Sequence, residues 1–305
     1  MVERKKNAIG IRCHKIGKAE KELYSFVSEY FGKENTFFVM NVDPSKVKVH
    51  EGFNQIIFNH DTILSSEKLF WPQDVAWKCG DYCHYAMFNA LSGYAYFWLV
   101  EPDIKFCCDK AETFFEDFET QEADFLAPRF GKANEKLPFY PTAKVLESEP
   151  MTCLFGITRM NPALIPKLLV TRENLSEKFY KENLPPSLYP NDEIFISTVG
   201  ARMGSRCAPM DKISTFNFLM FSVDPNTYFL EQDLSSIKGK FVVHPLMDEE
   251  TFMNKKMRRF EGLLNNSYPL LDFMAQTINK CSDEILQKRL KDQFRKRLDD
   301  FVSGL

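Results

Sequence analysis

The chain has 305 residues, 39 Lys+Arg against 42 Asp+Glu, a formal net charge of −3, and is 44% hydrophobic with 29 Phe. That is enough apolar mass for one large α/β domain with an appendage, or for two domains, and it excludes a wholly disordered chain. The near-neutral balance removes any global electrostatic reason to bind nucleic acid.

Residues 8–11 form a short apolar run that stops at His14 and Lys15, and Lys18–Phe31 carries Leu23, Phe26, Val27, Tyr30 and Phe31 at helical spacing. Residues 36–42 and 54–58 read as buried strands, the first ending at Asp43 and the second at Asn59-His60-Asp61. A single long helix is predicted over 73–91. Residues 94–100 (YAYFWLV) make the strongest strand and stop at Glu101-Pro102-Asp103. A helix over 110–118 and a strand over 124–127 follow, then a polar, Pro-interrupted loop or lid over 131–150. A strand over 153–157 precedes a helix opened by Asn161-Pro162. A second Pro-rich loop, 184–191, leads to a helix start at Asn191-Asp192-Glu193, strand-like runs follow over 216–221 and 241–243, and the chain looks helical from Glu249 onward. Strands alternating with helices predict a mostly parallel sheet covered on both faces.

The basic N-terminus lacks an apolar run of signal-peptide length, and 94–100 falls far short of the ~18 residues a membrane span needs. Eight cysteines without a secretion signal point to reduced thiols. Cys79 and Cys83 beside His84 lack the further ligands of a zinc site. The expectation is a cytosolic protein.

Polar or acidic residues follow several strands, His14, Asp43, Asp61, Glu101 and Asp103 among them, at the edge where open α/β sheets bind ligands. Glu101 and Asp103, two residues apart on a Pro-stiffened turn, can share one Mg²⁺ or Mn²⁺ that in turn holds substrate phosphates. His244, also directly past an apolar strand, is the natural nitrogen donor to complete such a site. At the Asn191-Asp192-Glu193 helix start, Asp or Asn can cap the helix and Glu in the first turn suits its dipole, while Asp192 or Glu193 can serve as a general base. Asp is the better cap, which leaves Glu193 as the preferred base. Lys78 and Asp81 share a helix face around Gly80, whose place in mid-helix implies the close approach of something else. Phosphate-binding glycine motifs are absent, which strengthens the case for a metal.

Taken in order, these features resemble a nucleotide-sugar-dependent glycosyltransferase of the GT-A type. That fold pairs an N-terminal nucleotide-binding half with an acceptor half, has an acidic D-x-D or E-x-D motif after the fourth main strand, and starts a late helix with a catalytic carboxylate. The resemblance covers roughly residues 7–250 and rests on IGIRCHKIG, TFFVMNVD, IIFNHD, KCGDY, YAYFWLVEPD, CLFGITRMN, PNDEIFISTVG and FVVHP. It implies a GT-A-like catalytic domain over 1–250, with 7–127 binding nucleotide and 128–250 the acceptor, and a helical extension over 251–305.

The resemblance further implies a metal held by Glu101, Asp103 and His244, and a nucleoside near Asp43, Asp61, Lys78 and Asp81. Arg12, Lys78 or Arg202 would neutralise the diphosphate if the metal is weak. The implied partners are a nucleotide-sugar donor and a glycan or lipid-linked acceptor, in bacterial surface polysaccharide assembly. The alternative class is a metal-dependent phosphoesterase or nucleotidyltransferase using the same carboxylates, or a non-catalytic nucleotide- or glycan-binding relative. Ile285, Leu286, Leu290, Phe294, Leu298 and Phe301 form an amphipathic stripe whose polar face is basic. It either packs against the domain or a second subunit, or docks on an anionic inner leaflet.

Overall fold

The computed structural model describes residues 6–43, 45, 49–63, 69–222, 229–231, 234, 239–264, 274, 277–278 and 284–303. Cys281 and the side chains of Arg297, Leu298 and Phe301 lie outside the described part.

In chain order the strands are β1 (Asn7–Cys13), β2 (Thr36–Asn41), β3 (Gln55–Phe58), β4 (Tyr96–Val100), β5 (Lys105–Cys107), β6 (Phe125–Ala127), β7 (Gly131–Lys132), β8 (Met151–Thr152), β9 (Ile157–Met160), β10 (Cys207–Pro209), β11 (Phe229–Leu230), β12 (Phe241–Val243) and β13 (Leu246–Met247). The α-helices are α1 (Lys18–Phe31), α2 (Val75–Lys78), α3 (Asp81–Ala90), α4 (Glu112–Phe115), α5 (Ile165–Glu182), α6 (Asp192–Arg202), α7 (Glu249–Leu264) and the C-terminal helix Glu284–Ser303.

Seven strands form one sheet in the order β10-β6-β9-β4-β1-β2-β3. Strand β9 runs antiparallel to both neighbours, and every other pair in this sheet is parallel. The sheet is therefore mostly parallel, as expected for strands that are apolar on both faces. Alternate residues supply two cores. Ala8, Phe37, Val39, Phe97 and Leu99 pack with α3, α5 and α6, whereas Ile9, Ile11, Phe38, Trp98 and Val100 pack with α1 and α4.

Four expectations need correction. The helix over 73–91 is two helices, α2 and α3, broken at Cys79-Gly80. The strand over 153–157 is displaced to β9, because Arg159 hides in it. Its guanidinium donates to the carbonyls of Phe118 (2.8 Å), Gln121 (2.6 Å) and Ala123 (3.2 Å) and lies 4.0 Å from the Tyr96 ring. With both terminal nitrogens turned onto carbonyls, a cation can occupy a strand that a hydropathy pattern rejects. Residues 216–221 make only isolated bridges to Phe241 and His244, not a strand. The helix over 110–118 shrinks to α4 followed by a 3₁₀ turn.

The chain divides into two compact units, Met1–Val223 with Gly239–His244, and Asp224–Lys238 with Pro245–Leu305. The second unit thus includes 224–238 and 245–250 in addition to the helical extension. Within it, Leu286, Leu290 and Phe294 of the C-terminal helix are buried with Leu230, Met247, Phe252, Met253 and Met257, while Ile285 stays exposed. Leu286, Leu290 and Phe294 of the stripe thus pack within their own unit. No described helix is long and apolar enough to cross a membrane.

Candidate active site

The C-terminal ends of the parallel strands place Arg12 in β1 and Glu101 directly after β4, which pairs with β1. The reversed strand β9 begins at this same edge, and Glu101 donates its N–H to the carbonyl of Gly156 (2.8 Å). A Cβ on Gly156 would sit 3.1 Å from the Phe221 ring and 3.3 Å from His244 Nε2, so glycine permits the close approach of the residue 217–222 segment and β12. His244 lies at the end of that approach. Its N–H bonds the Met220 carbonyl (2.9 Å), its ring stacks on Phe221 at 4.8 Å, and Nδ1 meets the Ser222 carbonyl at 2.7 Å.

Glu101, Asp103 and His244 converge: each offers a ligand atom, and these atoms lie within 4.8 Å of one another. His244 Nε2 is 3.1 Å from Glu101 Oε2 and 3.5 Å from Asp103 Oδ1. Burial opposes charge on the ring, but Glu101 and Asp103 outweigh it and raise the His244 pKa to about 9. Burial likewise opposes charge on Glu101, yet Arg12 and His244 bring its pKa down to about 2. Two carboxylates and one imidazole could hold a metal ion. Donation of Nδ1–H to Ser222 would leave Nε2 as the ligating nitrogen, so these residues fit a divalent ion.

Helix α6 supplies the second acidic group. Asn191, not Asp192, is its N-cap, accepting from the Ile194 N–H at 3.2 Å. Asp192 instead turns inward, almost fully buried, and accepts from the N–H groups of Gly80 and Glu193, both at 2.8 Å. Burial raises its pKa well above the usual carboxylate range, against the pull of Arg12. Glu193 is half-buried and steadied by Asn191 Nδ2 (3.1 Å) and the Phe155 N–H (3.4 Å). Burial lifts its pKa to about 7, the range that suits a general base.

Arg12 is not the free cation expected for a diphosphate. Its Nη1 is 2.8 Å from Glu101 Oε1 and 3.6 Å from Asp192 Oδ2, and its Nη2 donates to the carbonyls of Ala76 and Trp77. Burial opposes its charge, but the two carboxylates keep it firmly protonated. Asp81 also departs from expectation. It is fully buried in a two-point ion pair with Arg172 and accepts from the Tyr85 hydroxyl, so no nucleoside reaches it.

Lys78 pairs with Asp74 at 3.2 Å, within one helical turn. Arg202 ends α6, ten residues or about 15 Å along the helix from Asp192, and donates to the Leu146 carbonyl. Asp43 turns back onto Ser45, and exposed Asp61 lies 3.4 Å from His60. They follow β2 and β3, two and three strands from β4, roughly 10 and 15 Å away at the usual strand spacing.

Sequence reasoning missed Gly156, Phe221 and Ser222. The only local signal was a glycine in the apolar run CLFGI.

No family model matches the sequence, and no curated protein does. Among solved structures, the crystal structure of mannose-1-phosphate geranyltransferase from Thermus thermophilus is similar at 12% identity and a TM-score of 0.32, covering 79% of this chain and 74% of that one. A likeness this distant carries no substrate and no residue role across.

Proposed function

We propose that this chain is a nucleotide-sugar-dependent glycosyltransferase of the GT-A type, acting with Mn²⁺ or Mg²⁺. One observation carries the reading: the E-P-D turn after the fourth strand of the main sheet meets His244 across the ligand-binding edge, beside the acidic N-terminus of α6. Glu101, Asp103 and His244 would hold the ion, which when bound neutralises charge on a departing nucleoside diphosphate.

Glu193 is the general base in this reading. Its half-exposed carboxylate takes the proton from the acceptor hydroxyl, while Asn191 and the Phe155 amide keep it aimed. The acceptor is a glycan or lipid-linked glycan of bacterial surface polysaccharide assembly. The exposed cations Lys288, Lys291, Arg295 and Lys296 of the C-terminal helix suit an anionic inner leaflet.

Thermal-shift measurements with UDP, GDP and CMP, each with and without Mn²⁺, test the proposal. Metal-dependent stabilisation by one nucleoside phosphate is expected. Indifference to all three defeats it and favours a phosphoesterase or a non-catalytic glycan binder.

A further inference from the structure

Arg12 joins the two acidic halves of the site. Its Nη1 touches Glu101 Oε1 at 2.8 Å and comes within 3.6 Å of Asp192 Oδ2, and Nη2 donates to the Ala76 and Trp77 carbonyls within α2. We propose that Arg12 is a positioning residue, a clamp that fixes the metal-binding turn against the N-terminus of α6, and that it does not bind the donor phosphates. The inference rests on the functional reading above.

Three observations support it. The Glu101 carboxylate is divided: Oε1 faces Arg12, whereas Oε2 faces His244 Nε2 at 3.1 Å. Held this way, it presents one oxygen to a cation and leaves further coordination positions for other ligands.

Asp192 Oδ2, besides lying near Arg12, accepts the Gly80 N–H at 2.8 Å. One guanidinium thus ties the end of β4, the first residue of α6 and the break between α2 and α3.

The glycine at the break is required by that arrangement. A Cβ on Gly80 would lie 2.3 Å from Arg12 Nη1 and 2.5 Å from Asp192 Oδ2. A lysine, with one ammonium, cannot serve two carboxylates and two carbonyls together, whereas the planar fork of arginine can.

A clamp and a phosphate ligand predict different measurements. Arg12→Gln removes a positive charge beside a metal-binding carboxylate. Calorimetric titration of the full chain should then show Mn²⁺ binding at least ~10-fold tighter. Its turnover should fall at least ~10²-fold, because the reacting groups lose alignment, with the donor KM little changed.

Arg12→Lys should bind Mn²⁺ as the wild type does and still turn over slowly. Weaker Mn²⁺ binding by folded Arg12→Gln, rescue of turnover by lysine, or a raised donor KM with kcat intact would each overturn the clamp. Should Arg12→Gln fail to fold, the Arg12→Lys pair of readouts decides alone. A wild-type chain that takes up no Mn²⁺ would sink the functional reading together with the clamp. Normal wild-type uptake with lysine rescue would sink the clamp only.

Discussion

Two arginine–carboxylate groups in this molecule share a chemistry and differ in what surrounds them. Arg172 and Asp81 are both fully buried, with Nε–Oδ2 at 2.9 Å and Nη2–Oδ1 at 3.0 Å. The remaining Arg172 nitrogen donates to the Pro190 carbonyl, Tyr85 donates to Asp81, and the Phe195 ring lies 3.8 Å from the guanidinium. Every polar group there is turned inward, and the pair locks α3 to α5. Arg12 and Glu101 keep 12% and 26% of their side chains exposed, next to Asp103 at 37%. A sealed pair fixes architecture, because opening it strands a buried charge. A pair at the solvent edge, with an imidazole beside it, can exchange one partner for a ligand.

The sharpest way to break this comparison is to remove one acid from each group. Asp81→Ala strands the Arg172 guanidinium and should cost about 3–5 kcal/mol, a large share of a typical ~5–15 kcal/mol stability, read by denaturant unfolding. Asp103→Ala should leave the unfolding midpoint in place and reduce turnover on the order of 10³-fold. Unfolding by the second variant, or normal stability of the first, would erase the distinction.

Next in size is Glu193→Gln, which should lower turnover ~10²-fold, the usual scale for a lost base, with nucleotide binding retained in the thermal-shift assay. Full activity in this variant would place the base elsewhere.

Gly80→Ala tests how tightly the solvent-edge group is packed. At an ordinary helical site the change stabilises by up to ~1 kcal/mol. Here the new methyl meets Arg12 and Asp192, and overpacking should destabilise by about 1–3 kcal/mol. A gain in stability would mean that the Arg12–Asp192 approach is looser than its distances imply.

The mildest perturbation is pH. Glu193, shifted from 4.5 to about 7 chiefly by burial, must be unprotonated to act, so turnover should fall about tenfold per unit below pH 7. Glu193→Gln should lack that limb. The folded chain holds this proton more tightly than the unfolded chain. Charging Glu193 therefore lowers stability as pH rises from about 4.5 to 7, and the loss is complete above 7. A wild-type activity profile flat through this range would remove Glu193 as the base.

What the sequence determined by itself is what neighbouring residues decide together. Helix α1 begins and ends where the periodicity of Leu23, Val27 and Phe31 places it, and β2, β3 and β4 lie within residue runs that are apolar on both faces. The acids after β4 and the start of α6 were legible for the same reason, since strand ends and helix caps are local features. Tertiary structure decided how the charges are partnered. Glu101 meets Arg12 across 89 positions and His244 across 143, whereas Asp81, three residues from Lys78 in sequence, is sealed against Arg172. The break at Gly80, the strand around Arg159 and the inward turn of Asp192 onto Gly80 and Arg12 likewise came from groups distant in sequence. The physical reason is that a buried charge or an interrupted helix is tolerated only where distant chain supplies the compensating hydrogen bonds, and a local pattern carries no record of those partners.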